Sequence, residues 1–288
     1  YIFGQKYMSK IKISELFYSI QGEGRYMGVP SIFLRTFGCN FTCAGFNMPR
    51  GQCSKEADKI AERAEEFRFY HELPLTSTGC DSYASWHPAF KNLSDTYDTD
   101  SIAQSIIKLL PYKAWRDEHL VITGGEPLLG WQRAYPELLD HPLMVNLKEL
   151  TFETNGTQVL SDDFKRYLFA KFGDDRTRLT FSVSPKLPCS GEAWESAIKP
   201  EQVVSYQEIG HTYLKFVVAT KQDVVDADNA IELYRKAGFG GPIYLMPAGG
   251  VPQVYNLNTQ EVAKLAMDRG YRYSPRLQVD IWRNAWGT

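Results

Sequence analysis

Apolar and polar positions along the chain follow two rhythms. HLVIT (119–123), LTFET (150–154), RLTFSVS (178–184), YLKFVVA (213–219) and PIYLM (242–246) are short apolar or β-branched runs followed by Gly, Pro or Asn, and they read as buried strands. SIFLRTF (31–37) is another, running straight into Gly38-Cys39. Between them lie stretches with helical spacing. DSIAQSIIKLL (100–110) has Asp100 as its predicted cap, YPELLDH (135–141) is helical, and SDDFKRYLFAKF (161–172) opens on Ser161. DADNAIELYRKAG (226–238) is predicted to stop at Gly238, and TQEVAKLAMDRG (259–270) to end at Gly270. A βαβα order predicts a parallel sheet covered by helices, with chemistry at the C-terminal ends of its strands. One charged segment, SKEADKIAERAEEFRFYHEL (54–73), breaks the rhythm and reads as a helix with a solvated face, most simply a surface insertion.

Composition narrows the class without choosing a function. The chain has 288 residues, 43% hydrophobic and 23% charged, enough for a buried core without cross-links. A formal net charge of −2, with no basic stripe interleaved with aromatics, predicts no nucleic-acid partner. No run is long and apolar enough for a bilayer span, and YIFGQKYMSKIK has no leader-like apolar core, so a cytoplasmic protein without membrane contact is expected. Five cysteines, an odd number, argue for metal binding or catalysis rather than a disulfide framework.

Cys39 and Cys43 stand in GCNFTC at a spacing suited to a metal cluster, but Phe46 occupies the position where a third cysteine is expected. Three thiolates can hold three irons of a 4Fe–4S cluster and leave the fourth open. Cys53, Cys80 and Cys189 are the candidates for the third ligand, and unrelated buried thiols or a structural zinc site are the plain alternatives. GGEP (124–127) follows a strand, where its glycines allow close backbone approach and its carboxylate can accept from an ammonium group.

These motifs resemble the radical S-adenosylmethionine superfamily, and within it the 7-carboxy-7-deazaguanine synthase family. Cys80-Asp81-Ser82-Tyr83 is similar to the C-D-T-x-Y/F continuation of that family's cysteine loop, and YSIQGEG (18–24) to its Y-S-x-Q-G-E-G. ETNGT (153–157), SVSPK (182–186) and LKFVV (214–218) are similar to its E-T-N-G, V-S-P-K and L-K-x-V-V segments. The resemblance runs from about Tyr18 to the end, with residues 44–79 inserted in the cluster loop. It implies a single α/β domain over residues 1–288, a partial (β/α)6 TIM-like barrel.

The resemblance also implies roles. Cys39, Cys43 and Cys80 would ligate the 4Fe–4S cluster, with Cys53 the less favoured third ligand and Cys189 a spare thiol. Gly124, Gly125, Glu126, Asn155, Ser184 and Lys186 would hold S-adenosyl-L-methionine. Gln21, Glu23, Arg35, Thr123 and Gln278 would hold a pterin-like substrate, with Arg35 on its carboxylate. Lys215 is read only as solvating a strand face. Ser82 stands where the family has a threonine for Mg²⁺, and it keeps a hydroxyl oxygen. Gln278 stands where family tails carry a histidine, and Leu245-Met246-Pro247 lacks the family's glutamine.

The activity implied is conversion of 6-carboxy-5,6,7,8-tetrahydropterin to 7-carboxy-7-deazaguanine. A 5′-deoxyadenosyl radical takes hydrogen from C6, the ring contracts, ammonia leaves, and hydrogen returns to regenerate the cofactor. A flavodoxin- or ferredoxin-type reductant and a homodimer are the implied partners. The competing expectations are a glycyl-radical activase and a non-catalytic iron–sulfur or zinc protein that binds a partner.

Overall fold

The computed structural model describes residues 8–288; the first seven residues of the segment read above for a leader lie outside them. Nine strands are present among the described residues: β1 (Lys10–Ile20), β2 (Pro30–Thr36), β3 (Asp95–Asp98), β4 (His119–Gly124), β5 (Leu150–Thr154), β6 (Leu179–Val183), β7 (His211–Val218), β8 (Ile243–Pro247) and β9 (Arg272–Tyr273). They form one sheet in the order β3-β1-β2-β4-β5-β6-β7-β8-β9. From β2 to β9 every pairing is parallel, whereas β1 runs antiparallel to both β2 and β3. The mainly parallel α/β sheet matches the sequence pattern. The antiparallel edge is additional: β1, which carries YSI of YSIQGEG, is not among the strands read from the sequence.

The helices are α1 (Glu56–Ala61), α2 (Thr99–Leu109), α3 (Tyr135–Leu139), α4 (Asp162–Phe172), α5 (Trp194–Ala197), α6 (Pro200–Gln207), α7 (Lys221–Lys236), α8 (Pro252–Arg269) and α9 (Leu277–Trp282). Ser161 caps α4 as expected, its hydroxyl accepting from the Phe164 amide at 3.4 Å. Asp100 does not cap α2. Asp98 does, accepting from the Ser101 amide at 2.7 Å, while Asp100 pairs with His141 at 3.0 Å. Gly270 takes the left-handed φ of 67° that ends α8.

The central strands are covered on both faces, as mainly parallel strands in α/β sheets are: every residue of β4 is buried. One core runs from Ile11 through Phe152, Phe181 and Phe216 to Leu265. Across the central strands the register brings polar residues into adjacent positions. Arg35 pairs with Thr123, Glu153 with Ser182, and Ser182 with Tyr213. A polar row within apolar strands marks the floor of a site.

The segment 54–73 is not one helix. Only Glu56–Ala61 is α-helical, followed by short 3-10 turns at Ala64–Glu66 and Tyr70–Glu72. The two ends of residues 44–79 are joined by the Gly79 amide, which donates to Phe46 O at 2.8 Å, while the Ser54 amide closes the first part of the excursion back on Ala44 O at 2.7 Å. The excursion therefore leaves and re-enters the fold at the same place.

Candidate active site

The cavity at the C-terminal ends of the strands has a volume of about 250 Å³ and is lined by elements from across the sheet, from Glu15 on β1 to Met246 on β8. Cys39, Cys43 and Cys80 all line it, and the three pack against one another with Phe41, Phe46 and Ala197. Cys53 is exposed, and Cys189 reaches only the Val217 carbonyl, at 3.7 Å. Neither lines the cavity. Burial pushes the Cys39 thiol up to about 12 and raises Cys43 and Cys80 as well. Such thiols stay protonated until a cation takes the proton's place.

The cysteine loop is held from outside. Glu192 accepts from the Thr42 amide at 2.9 Å and the Cys43 amide at 2.7 Å, and Cys43 itself has a left-handed φ of 49°. Among the described residues no three His, Cys, Asp or Glu side chains converge closely enough to hold one metal ion. Three thiols lining one cavity fit a polynuclear cluster, in which each sulfur binds a separate iron.

Gly124 and Gly125 carry the backbone past the cysteine loop. A Cβ on Gly125 would lie 2.4 Å from Gly38 O, and one on Gly124, whose φ is 151°, 2.4 Å from Thr36 O. Glu126 departs from the expectation that it faces an ammonium group. It is fully buried and does not line the cavity. Its carboxylate accepts from the Leu128 amide at 3.0 Å, the Asn155 amide at 2.7 Å and the Thr154 hydroxyl at 2.8 Å, tying the end of β4 to that of β5. Burial pushes it up to about 6 against those donors. Asn155, Ser184 and Lys186 line the cavity. Asn155 also donates to Asn40 in the cysteine loop at 2.8 Å, and Lys186 donates to Ser184 at 3.2 Å.

Gln21, Glu23, Arg35, Thr123 and Gln278 line the same cavity. Glu153, not singled out from the sequence, accepts from Gln21 at 3.0 Å and Thr123 at 3.1 Å. Lys215 does not solvate a strand face: it is buried and donates to Glu23. Glu23 also accepts from Arg276 at 3.1 Å and Gln278 at 2.7 Å. Burial alone would raise its carboxyl, but the charges of Lys215 and Arg276 overcome this and hold it at about 2. Arg276 continues to Asp81 at 2.6 Å, so the residue after Cys80 joins the same network. Arg35 is paired with Glu15 at 3.0 Å, and its Nη1 lies 3.3 Å from Ser82 Oγ. A lysine or arginine placed at an inward position of an apolar strand was the signal available for Lys215; Glu15, Asp81 and Arg276 gave none by themselves.

Fold and site define an α/β enzyme whose polar cavity opens beside three gathered cysteines at the C-terminal edge of a mainly parallel sheet. No family model matches the chain. It is 31% identical to the 7-carboxy-7-deazaguanine synthase of Halobacterium salinarum, over 96% of this chain and 91% of the relative, and 26% identical to that of Pyrobaculum aerophilum, over 96% and 97%. Among solved structures it is similar in fold to QueE from Escherichia coli, with a TM-score of 0.55 at 19% identity, covering 92% of this chain and 93% of that one. The chain belongs to the 7-carboxy-7-deazaguanine synthase family. Membership makes it a radical S-adenosylmethionine lyase and implies a 4Fe–4S cluster and S-adenosyl-L-methionine as cofactors.

Proposed function

We propose that this chain converts 6-carboxy-5,6,7,8-tetrahydropterin to 7-carboxy-7-deazaguanine, with the whole chain acting as one domain whose curved sheet is a partial (β/α)6 barrel. The observation that carries the reading is one cavity lined both by three gathered thiols and by charged and amide-bearing side chains suited to a polar heterocycle with a carboxylate. Cys39, Cys43 and Cys80 hold the cluster. The backbone of Gly124 and Gly125, with Asn155, Ser184 and Lys186, holds S-adenosyl-L-methionine, and Glu126 supports that wall from behind. When bound, these cofactors supply the hydrogen-abstracting radical.

The protein's residues place the substrate. Arg35 faces its carboxylate with the guanidinium edge not used by Glu15. Glu23, kept ionised, and the amides of Gln21 and Gln278 address the ring's donors and acceptors, with Thr123 beside them. Ser82 offers a hydroxyl oxygen to Mg²⁺ near that carboxylate. Water is excluded by the loops at the cavity mouth.

We infer further that the protein is a cytoplasmic homodimer reduced by a flavodoxin- or ferredoxin-type partner, with no nucleic-acid or membrane contact. No helix among the described residues is long and apolar enough to cross a membrane. The test is anaerobic reconstitution with iron and sulfide, then incubation with S-adenosylmethionine, reductant and the carboxytetrahydropterin. Mass spectrometry is expected to show the ring-contracted acid; cofactor cleavage without that product would overturn the assignment.

A further inference from the structure

The inserted segment builds a hydrophobic cluster of its own, separate from the main core. Ala57, Ile60, Ala61, Ala64, Phe67, Tyr70 and Leu73 pack with Tyr83, Ala84, Trp86, Phe90 and Leu93, which follow Cys80. One further residue enters this cluster from the far end of the chain, Trp286. Its ring meets Tyr70 edge-on at 4.9 Å and Tyr83 at 6.0 Å, and its indole Nε1 donates to Leu73 O at 2.7 Å. An indole with both its apolar body and its polar edge satisfied is a strong local anchor.

The anchored segment also walls the cavity. Asn284, Ala285, Trp286, Gly287 and Thr288 all line it. The chain reaches this position through a sharp reversal after α9, with Arg283 at φ 57° and Asn284 at φ 61°. Asn284 is then fastened by its side chain to Gly250 O at 2.9 Å. Of the inserted segment itself, Phe46, Asn47 and Gly79 reach the cavity, all beside its two ends.

We propose that the insertion is the seat for the segment 284–288, and that Trp286 is the positioning residue that holds this segment in place as part of the cavity wall. The insertion thus acts on substrate binding without touching substrate. This rests on the cavity taking a pterin carboxylate, a reading that turnover by the unaltered protein tests by itself.

The experiment measures binding of fluorescent 6-carboxypterin to the reconstituted protein, with iron content recorded for each variant. Trp286→Ala removes the anchor from the tail side, Tyr70→Ala from the inserted side, and the double variant removes both. The expected result is a loss of affinity of about tenfold or more in each single variant, the size of one well-made buried contact, with iron content retained. The double variant should be no weaker than either single one, because both act through one contact. Unchanged affinity in Trp286→Ala would overturn the proposal, and so would losses that multiply in the double variant. Should Trp286→Ala lose its iron, Trp286→Phe decides: it keeps a ring but drops the Leu73 hydrogen bond, and a weakened affinity is required of it. Binding by the unaltered protein that is absent altogether would refute the substrate assignment instead.

Discussion

The Gln278 carboxamide donates to Glu23 Oε1 at 2.7 Å, joining the C-terminal helix to the QGEG turn that follows β1. Glu23 is held at about 2 and stays ionised at any working pH. Gln278 does not titrate at all. The pair therefore presents a fixed charge pattern where a histidine would present a variable one. Gln278→His places a group with an ordinary pKa of about 6.5 against a carboxylate, which raises it further. The expected outcome is a new inflection in kcat/KM between about pH 6 and 8, absent from the parent protein. A variant profile that overlays the parent would remove Gln278 from the substrate wall.

Three thiols share the cavity, and a fourth, Cys53, sits exposed outside it. After anaerobic reconstitution, Cys80→Ala is expected to lose the cluster's brown absorbance and most of its iron. Cys53→Ala should load like the parent. The reverse pattern would mean that the CDSY segment is not part of the cluster loop.

How far the sequence could carry this site depends on how local each signal is. Cys39, Cys43 and the Gly-Gly turn are written within a few residues, and apolar runs such as HLVIT specify their strands by themselves. Glu126 is different: its role follows from where β5 ends, 28 residues on, which the GGEP motif does not contain. Lys215 and Arg276 become partners of Glu23 only after the sheet brings positions 192 and 253 residues apart together. The antiparallel β1, KIKISELFYSI, mixes lysines and a glutamate with its apolar positions and so lacks the continuous apolar run of the central strands. The charged residues of 54–73 likewise masked Ile60, Phe67, Tyr70 and Leu73, whose spacing serves a small local core rather than one continuous helix.

Away from the site, His119 makes the fold sensitive to acid. It lies buried between Ser31 Oγ at 3.3 Å and Thr151 Oγ1 at 2.7 Å, with the Tyr26 ring 4.1 Å away. Burial first, and then the Arg25 charge, push it down to about 3. The unfolded chain takes up that proton below about 6.5. The unfolded state thus binds more protons between the two values, and stability falls as pH drops through that window, by at most about 1.4 kcal/mol per unit from this residue. Denaturant unfolding of the metal-free protein at pH 7.5 and pH 5 is expected to show a smaller difference for His119→Gln than for the parent. An equal difference would assign the acid sensitivity elsewhere.

Glu126 offers the sharpest separation between a supporting and a ligand-binding role. Its carboxylate satisfies two backbone amides and one hydroxyl in a fully buried position. Glu126→Ala leaves those donors without partners, and each buried orphan costs about 1–3 kcal/mol. The metal-free protein is therefore expected to lose about 3 kcal/mol or more in denaturant unfolding, with Glu126→Gln losing less because an amide oxygen still accepts. A residue whose work is to grip the cofactor's ammonium group would behave in the opposite way. Its loss would leave the metal-free stability unchanged and weaken S-adenosylmethionine binding alone, and that outcome would return Glu126 to the cavity wall.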